Sequence, residues 1–349
     1  MDQTSVKMRN TARKNISGLL FAVGATTLAF YGVHEAQAQS PIVIKMATLA
    51  PEGTPYYDGL QELAREFKTV SGGQVQIKLY AGGVSGNETQ MIRKMKIGQL
   101  QAAQLTSAGL GDMDKGAISV QIPRLIQSWE ELDFVMAKLG PELEKRLETA
   151  GFKVLGWGDV GWARFFTKET VATPAQLKQV KLFAWEGDPA AVEAFKKAGI
   201  NPVVIASTDM LPSLQTGLIN AIPTTALAAL SYQWFGIAKN MLDLKWAPMI
   251  GANVIDLKSW QKIPADLQPK LLEAGRRVST KYKNQTRMLD DQAVGAMKKN
   301  GLTVVPPTDM AEWEKFAQSF YPLLRGTMMD AGVFDSVIRA HNEYVTQKK

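Results

Sequence analysis

LGWGDVGWARFFT (155–167), TPAQLKQVKLFAWEGDP (173–189) and STDMLPSLQTGLINAIPTT (207–225) carry the signals that decide the fold class. Apolar residues from Phe152 to Trp157 read as a strand, and Phe165-Phe166 mark the next. A third strand falls near Lys181–Ala184. Asp188-Pro189 then cap a helix that Gly199 stops, since proline suits the first helical turn and glycine the left-handed exit. Pro202-Val203-Val204-Ile205 is a further short strand. Strands alternating with helices predict α/β lobes with largely parallel sheets.

The same alternation extends outward. Ile42, Ile44 and Met46 alternate as a first strand. Thr54 caps a helix with Pro55 at its first position, and Leu60, Leu63, Ala64 and Phe67 share one face. Gly72-Gly73 turns the chain into a strand carrying Val75, Ile77 and Leu79. The loop AGGVSGNE (81–88) leads to a helix that Asn87 and Gln90 can cap reciprocally, with Met91 and Met95 inward. A segment around Leu100–Thr106 completes a β-α-β-α-β opening, and Leu132, Val135, Leu139, Leu143 and Leu147 mark another helix. From Ala265 to Asn300 the pattern stays helical through Leu271, Val278, Tyr282, Ala293 and Met297, long enough to brace two parts of a molecule. With no repeat and no low-complexity linker, the lobes are expected to be joined by strands.

Composition narrows the function. Lys7, Arg9, Arg13 and Lys14 precede an apolar stretch from Ile16 to Val33, and Ala36-Gln37-Ala38 has the form of a cleavage site. Residues 1–38 therefore read as a signal peptide, leaving a periplasmic chain with no membrane insertion of its own. That segment holds four of the 40 basic and two of the 33 acidic residues, so the remainder keeps a small, dispersed positive excess. A nucleic-acid surface would gather those charges on one face. There is no cysteine, and of the two histidines His34 leaves with the leader while His341 lies near the tail. Cys nucleophiles, Cys/His metal sets and a Ser-His-Asp arrangement are thereby disfavoured, so neither enzyme nor cofactor is expected.

The order and spacing of these pieces resemble the extracytoplasmic solute receptors of tripartite ATP-independent periplasmic (TRAP) transporters, of the dicarboxylate/sialate-receptor (DctP-like) type. The resemblance spans the chain after the leader. Its opening is Ala47-Thr48-Leu49-Ala50-Pro51-Glu52-Gly53, followed by Gly86-Asn87-Glu88-Thr89-Gln90-Met91, and its most specific piece runs from Thr208 to Asn220. It implies a two-lobed periplasmic-binding-protein-like fold with a long helix bridging the lobes. Lobe I is expected over 39–158 and 245–285, lobe II over 159–244 and 286–349. It also implies a receptor that closes on a small organic ligand and docks onto a small and a large membrane subunit. By resemblance, Thr48, Ser107, Arg164, Phe183, Glu186, Ser207 and Thr224 line the cleft.

Two departures bear on the ligand. The family pattern G-L-K-I-R-V, whose arginine clamps a carboxylate, corresponds here to Gln179-Val180-Lys181-Leu182-Phe183-Ala184, with Phe183 at the arginine position. Where the family has valine-aspartate-glycine-glutamine/glutamate, this chain has Ile219-Asn220-Ala221-Ile222. Losing a buried cationic partner costs a carboxylate about 2–5 kcal/mol, unless a shifted register brings in another cation. Trp157, Trp162, Trp185, Tyr232, Trp234 and Phe235 add aromatic weight, most of it expected in the core. Trp185 and Tyr232 join Phe183 as candidates for a larger, apolar pocket. Arg164 either grips one anionic group or packs against Phe165 or Trp162, and Glu186 either accepts an amine or hydroxyl or is solvated. The expected ligand is aromatic or hydrophobic, with at most one anionic group. The rival readings are a stand-alone periplasmic carrier for lipid-like or toxic apolar compounds and, more distantly, a periplasmic enzyme.

Overall fold

A single strand running through both halves of the molecule organises the sheet. In the computed structural model, which describes residues 40–186 and 189–348, β4 spans Phe152–Thr167. The expected leader and the Asp188 cap lie outside the described residues. Ahead of β4 come β1 (Ile42–Ala47), β2 (Val75–Tyr80) and β3 (Ala102–Thr106). After it come β5 (Lys181–Trp185), β6 (Asn201–Ile205), β7 (Ala221–Thr224), β8 (Asn240–Leu242), β9 (Ala247–Asp256) and β10 (Thr303–Val305). The strand order is β2-β1-β3-β9-β4-β7-β5-β6, with β8 bridging β4 and β10. β1 runs parallel to β2 and β3, and β5 parallel to β6 and β7. Each half is thus a parallel α/β unit, and antiparallel β4 and β9 join them.

Two strands expected at 152–157 and 165–166 are therefore one. Gly156, Gly158 and Gly161 interrupt the apolar alternation and read as breaks, whereas the structure uses two of them at irregularities. The β4–β9 register shifts between Val154 and Gly156 and again between Asp159 and Gly161, and such bulges bend and twist a strand without ending it. Gly161 has φ +136°, and a Cβ there would lie 2.6 Å from Asp290 Oδ1 and 2.8 Å from Thr225 Cβ. Only glycine fits that approach.

The expected long helix is present as Gln268–Lys299. Its buried Leu271 and Val278 pack with Ile44, Leu63 and Phe67 of the first half, while Ala293 and Met297 pack with Phe166, Ile222 and Met241 of the second. The caps read from sequence also form. Thr54 accepts from the Tyr57 amide, and Asn87 and Gln90 complete a reciprocal capping box. Each such cap contributes about 1 kcal/mol. Trp162 is fully buried against Trp129, ring centroids 4.5 Å apart, as a core tryptophan should be.

A candidate ligand-binding cleft

The carboxyl ends of the parallel strands from both halves converge, the usual place for a ligand in open α/β sheets. Thr48 follows β1, β3 ends at Thr106, β5 at Trp185 and β7 at Thr224, and Ser207 follows β6. Between them lies a cavity of about 240 Å3. The second half contributes Phe183, Trp185, Tyr232 and Trp234 to its wall, the first half Leu49 and Leu105, and the central strands Val160 and Met249. Among the described residues lining it there is no lysine, arginine or histidine, while Glu88 and Asp159 are present.

Of the residues expected to line the cleft, Thr48, Phe183, Trp185, Ser207, Thr224 and Tyr232 do so, and Ser107, Arg164 and Glu186 are outside the lining. Arg164 pairs across the β4–β7 ladder with Thr224, but its guanidinium turns to the long helix. There Nη1 meets Asp290 Oδ2 at 3.3 Å, with side-chain exposures of 6% and 0%. Asp290 also accepts from the Trp162 and Leu227 amides at 3.2 and 2.9 Å. Burial still pushes its carboxyl above the ordinary range, against the pull of Arg164 and the two amides. Lys181 is exposed and donates to the Gly217 carbonyl, so no register slip brings it into the cavity. Phe183 faces Val203 in the β5–β6 pairing and is 8% exposed. Ser107 is buried at the start of the helix Ser107–Met113, its hydroxyl unpaired within the protein.

Several side chains bridge the two halves directly. Tyr232 Oη donates to the Leu49 carbonyl at 3.1 Å, and its ring stacks on Trp234 at 4.6 Å and 14°. Tyr56 Oη donates to the Val160 carbonyl at 2.9 Å. The exposed Glu186 accepts from Asn87 Nδ2 at 2.5 Å, spanning the cleft mouth. Burial raises both the Tyr56 and Tyr232 phenols well above their ordinary pKa, so they remain neutral donors. Tyr232→Phe keeps the stack and removes one cross-cleft hydrogen bond, worth about 0.5–1.5 kcal/mol net. The variant is expected to open more readily, seen as a larger radius of gyration in solution scattering, and to bind ligand about 2- to 10-fold more weakly. An unchanged scattering profile and affinity would remove this bond from the closing mechanism.

Tyr56, Glu88 and Asn253 belong to the wall and have no signal in the local sequence pattern. Glu88 accepts from the Thr106 amide (2.7 Å), the Thr106 hydroxyl (2.8 Å) and the Gly109 amide (2.9 Å). A Cβ on Gly109 would lie 2.7 Å from its Oε2, so glycine makes the seat possible. Burial nonetheless raises the Glu88 carboxyl above its usual range. Asn253 sits opposite Gln104 in the antiparallel β3–β9 ladder. Without β9 in the sequence reading, nothing placed it near the cleft.

Residues 46–325 match the family described as bacterial extracellular solute-binding protein, family 7. The chain belongs to this family. It is a TRAP-type receptor of the DctP family, and the members of that family are periplasmic solute-binding receptors that work with membrane components, not enzymes. The 2,3-diketo-L-gulonate-binding periplasmic protein YiaO of Escherichia coli is 22% identical over 241 residues, 68% of this chain and 73% of that one. The sialic acid-binding periplasmic protein SiaP of Vibrio cholerae is 18% identical over 292 residues, 83% and 89% of the two chains. Among solved structures, the TRAP periplasmic solute-binding protein of Citrobacter koseri with bound D-glucuronate superposes with a TM-score of 0.77 at 22% identity, covering 85% of this chain and 98% of that one. The protein of the same type from Desulfovibrio salexigens with bound orotic acid gives 0.79 at 18% identity, covering 88% and 99%. These matches show the two-lobed fold. Among the described residues no helix of this TRAP receptor is long and apolar enough to cross a membrane.

Proposed function

We propose that this TRAP receptor closes on an uncharged ligand with an aromatic or otherwise apolar body and delivers it to a small and a large membrane subunit. In this reading residues 1–38 are a cleaved export signal. Lobe I comprises 39–158 with 245–285, and lobe II comprises 159–244 with 286–349. The observation that carries the ligand class is Phe183 on the cavity wall, in a lining that holds no lysine, arginine or histidine among the described residues. The relatives named above are described with 2,3-diketo-L-gulonate, sialic acid, D-glucuronate and orotic acid, all carboxylate ligands. Among the described residues lining the present cavity, a carboxylate would meet Glu88 and Asp159 and no opposing charge, whereas Arg164 lies outside the lining with its Nη1 3.3 Å from Asp290 and its Nε unpaired within the protein. A buried anion without a partner is costly, and an apolar group gains by leaving water for such walls. An apolar cavity of about 150 Å3 is enough for benzene, so about 240 Å3 has room for a substituted ring.

The test is native mass spectrometry of the receptor purified from its host, followed by thermal-shift screening. Expected is a co-purifying aromatic or apolar compound that raises the melting temperature, with stabilisation growing as RT ln(1 + [L]/Kd). Tight, stabilising binding of D-glucuronate or succinate, with no response to apolar compounds, would defeat the proposal.

A further inference from the structure

The resemblance puts Glu186 beside the ligand, yet neither Glu186 nor its partner Asn87 belongs to the cavity lining. Asn87 caps the helix Glu88–Lys96 and is 4% exposed. Its Oδ1 accepts from the Gln90 amide at 2.9 Å, and its own amide donates to Gln90 Oε1 at 3.0 Å. Gly86, at φ +94°, makes room for this, since a Cβ there would overlap the Gln90 side chain. With Oδ1 committed to the cap, the carboxamide is fixed and Nδ2 is left to donate. It donates across the mouth to Glu186 Oε1 at 2.5 Å.

The second half holds the acceptor just as firmly. Glu186 directly follows Trp185 at the end of β5, and its amide donates to the Ile205 carbonyl at 3.2 Å. Among the described residues its carboxylate meets Asn87 and no lysine or arginine. Close by, the two halves nearly touch: a Cβ on Gly83 would lie 3.3 Å from Thr208 Cγ2. A hydrogen bond to a carboxylate is about twice as strong as a neutral one. A donor already fixed by a cap loses little freedom in making it. Both partners stand outside the lining, so the contact forms without a ligand contributing to it.

We infer that Asn87 and Glu186 form a latch at the cleft mouth, which biases the receptor toward its closed arrangement whatever the cavity holds. The capping box of the helix Glu88–Lys96 aims the donor. The acceptor rides at the end of β5, the strand that brings Phe183 and Trp185 to the wall. Closure thus draws on one contact common to every ligand, and on wall contacts that differ from ligand to ligand.

The chain has no cysteine, so nitroxide labels can be placed at will. Val43→Cys in the first half and Leu218→Cys in the second are exposed positions. Pulsed electron paramagnetic resonance between them reads the closed and open populations of the ligand-free receptor. Asn87→Asp keeps the cap, since aspartate caps a helix as well as asparagine, but sets carboxylate against carboxylate. Its closed-to-open ratio should fall at least about tenfold. Adding Glu186→Gln should bring the ratio back to within about threefold of wild type, because the glutamine amide donates to the new carboxylate and the bond re-forms with reversed polarity. Glu186→Ala, which leaves the cap untouched, should lower the ratio about threefold or more, and it decides if Asn87→Asp does not fold. A wild type with no closed population, or populations that neither single variant changes, would overturn the latch. So would a fall in Asn87→Asp that Glu186→Gln does not reverse, which would assign the effect to the cap. No ligand enters the readout, so these outcomes leave the proposed ligand class untouched.

Discussion

Phe183→Arg is expected to turn the receptor from apolar ligands toward carboxylates. The ring lies midway along β5 and reaches the cavity wall, 8% exposed, in a lining that holds no cation among the described residues. A guanidinium there would supply the charge-assisted partner now missing. Such a buried pair is worth about 2–5 kcal/mol to the bound anion, roughly two to four decades in affinity. D-Glucuronate, titrated by calorimetry, should bind the variant at least 100-fold more tightly than the wild type, while an aromatic ligand should lose at least about tenfold. Phe183→Leu is the control: it shortens the wall without adding charge, so it should weaken the aromatic ligand and gain nothing for carboxylates. A folded Phe183→Arg receptor that still ignores carboxylates would mean that residue 183 does not set the ligand's charge.

The second large effect is on stability. Asp290→Ala leaves the Arg164 guanidinium buried without its counter-ion and frees the amides of Trp162 and Leu227. Breaking one side of a buried pair costs about 3–5 kcal/mol, a large fraction of the 5–15 kcal/mol that holds a typical domain. Urea denaturation should show a lower midpoint with little change in slope. Arg164→Met combined with Asp290→Leu should recover part of the loss, because removing both charges avoids the stranded cation. A loss below about 1 kcal/mol for the single variant would mean that water reaches the pair.

Arg164 is also where local pattern and tertiary structure part company. Its place in the cleft was implied by the family resemblance, and Thr224 beside it in the ladder does line the cavity. Nothing within β4 reveals that Asp290, more than a hundred residues later, is aimed at the same guanidinium. Glu186 lies one step past Trp185, yet it is exposed at the mouth and bonded to Asn87 of the other half. Phe183, Trp185 and Tyr232 reach the cavity together because parallel strands deliver their carboxyl ends, with the segments just beyond, to one edge.

Alternation, caps and the long helical period were legible because they depend on neighbours a few residues apart. So the α/β class, the β1 to β3 opening, the Asn87–Gln90 capping box and the bracing helix come from the chain itself. The replacement of an expected arginine by Phe183 came from the family resemblance. Two features required tertiary structure. β4 continues through its glycines because β9, β7 and β8 pair along it in turn. Arg164 stays outside the cavity lining, its guanidinium against Asp290 of the long helix. In each case the deciding free energy lies in a long-range contact: a ladder or a buried ion pair.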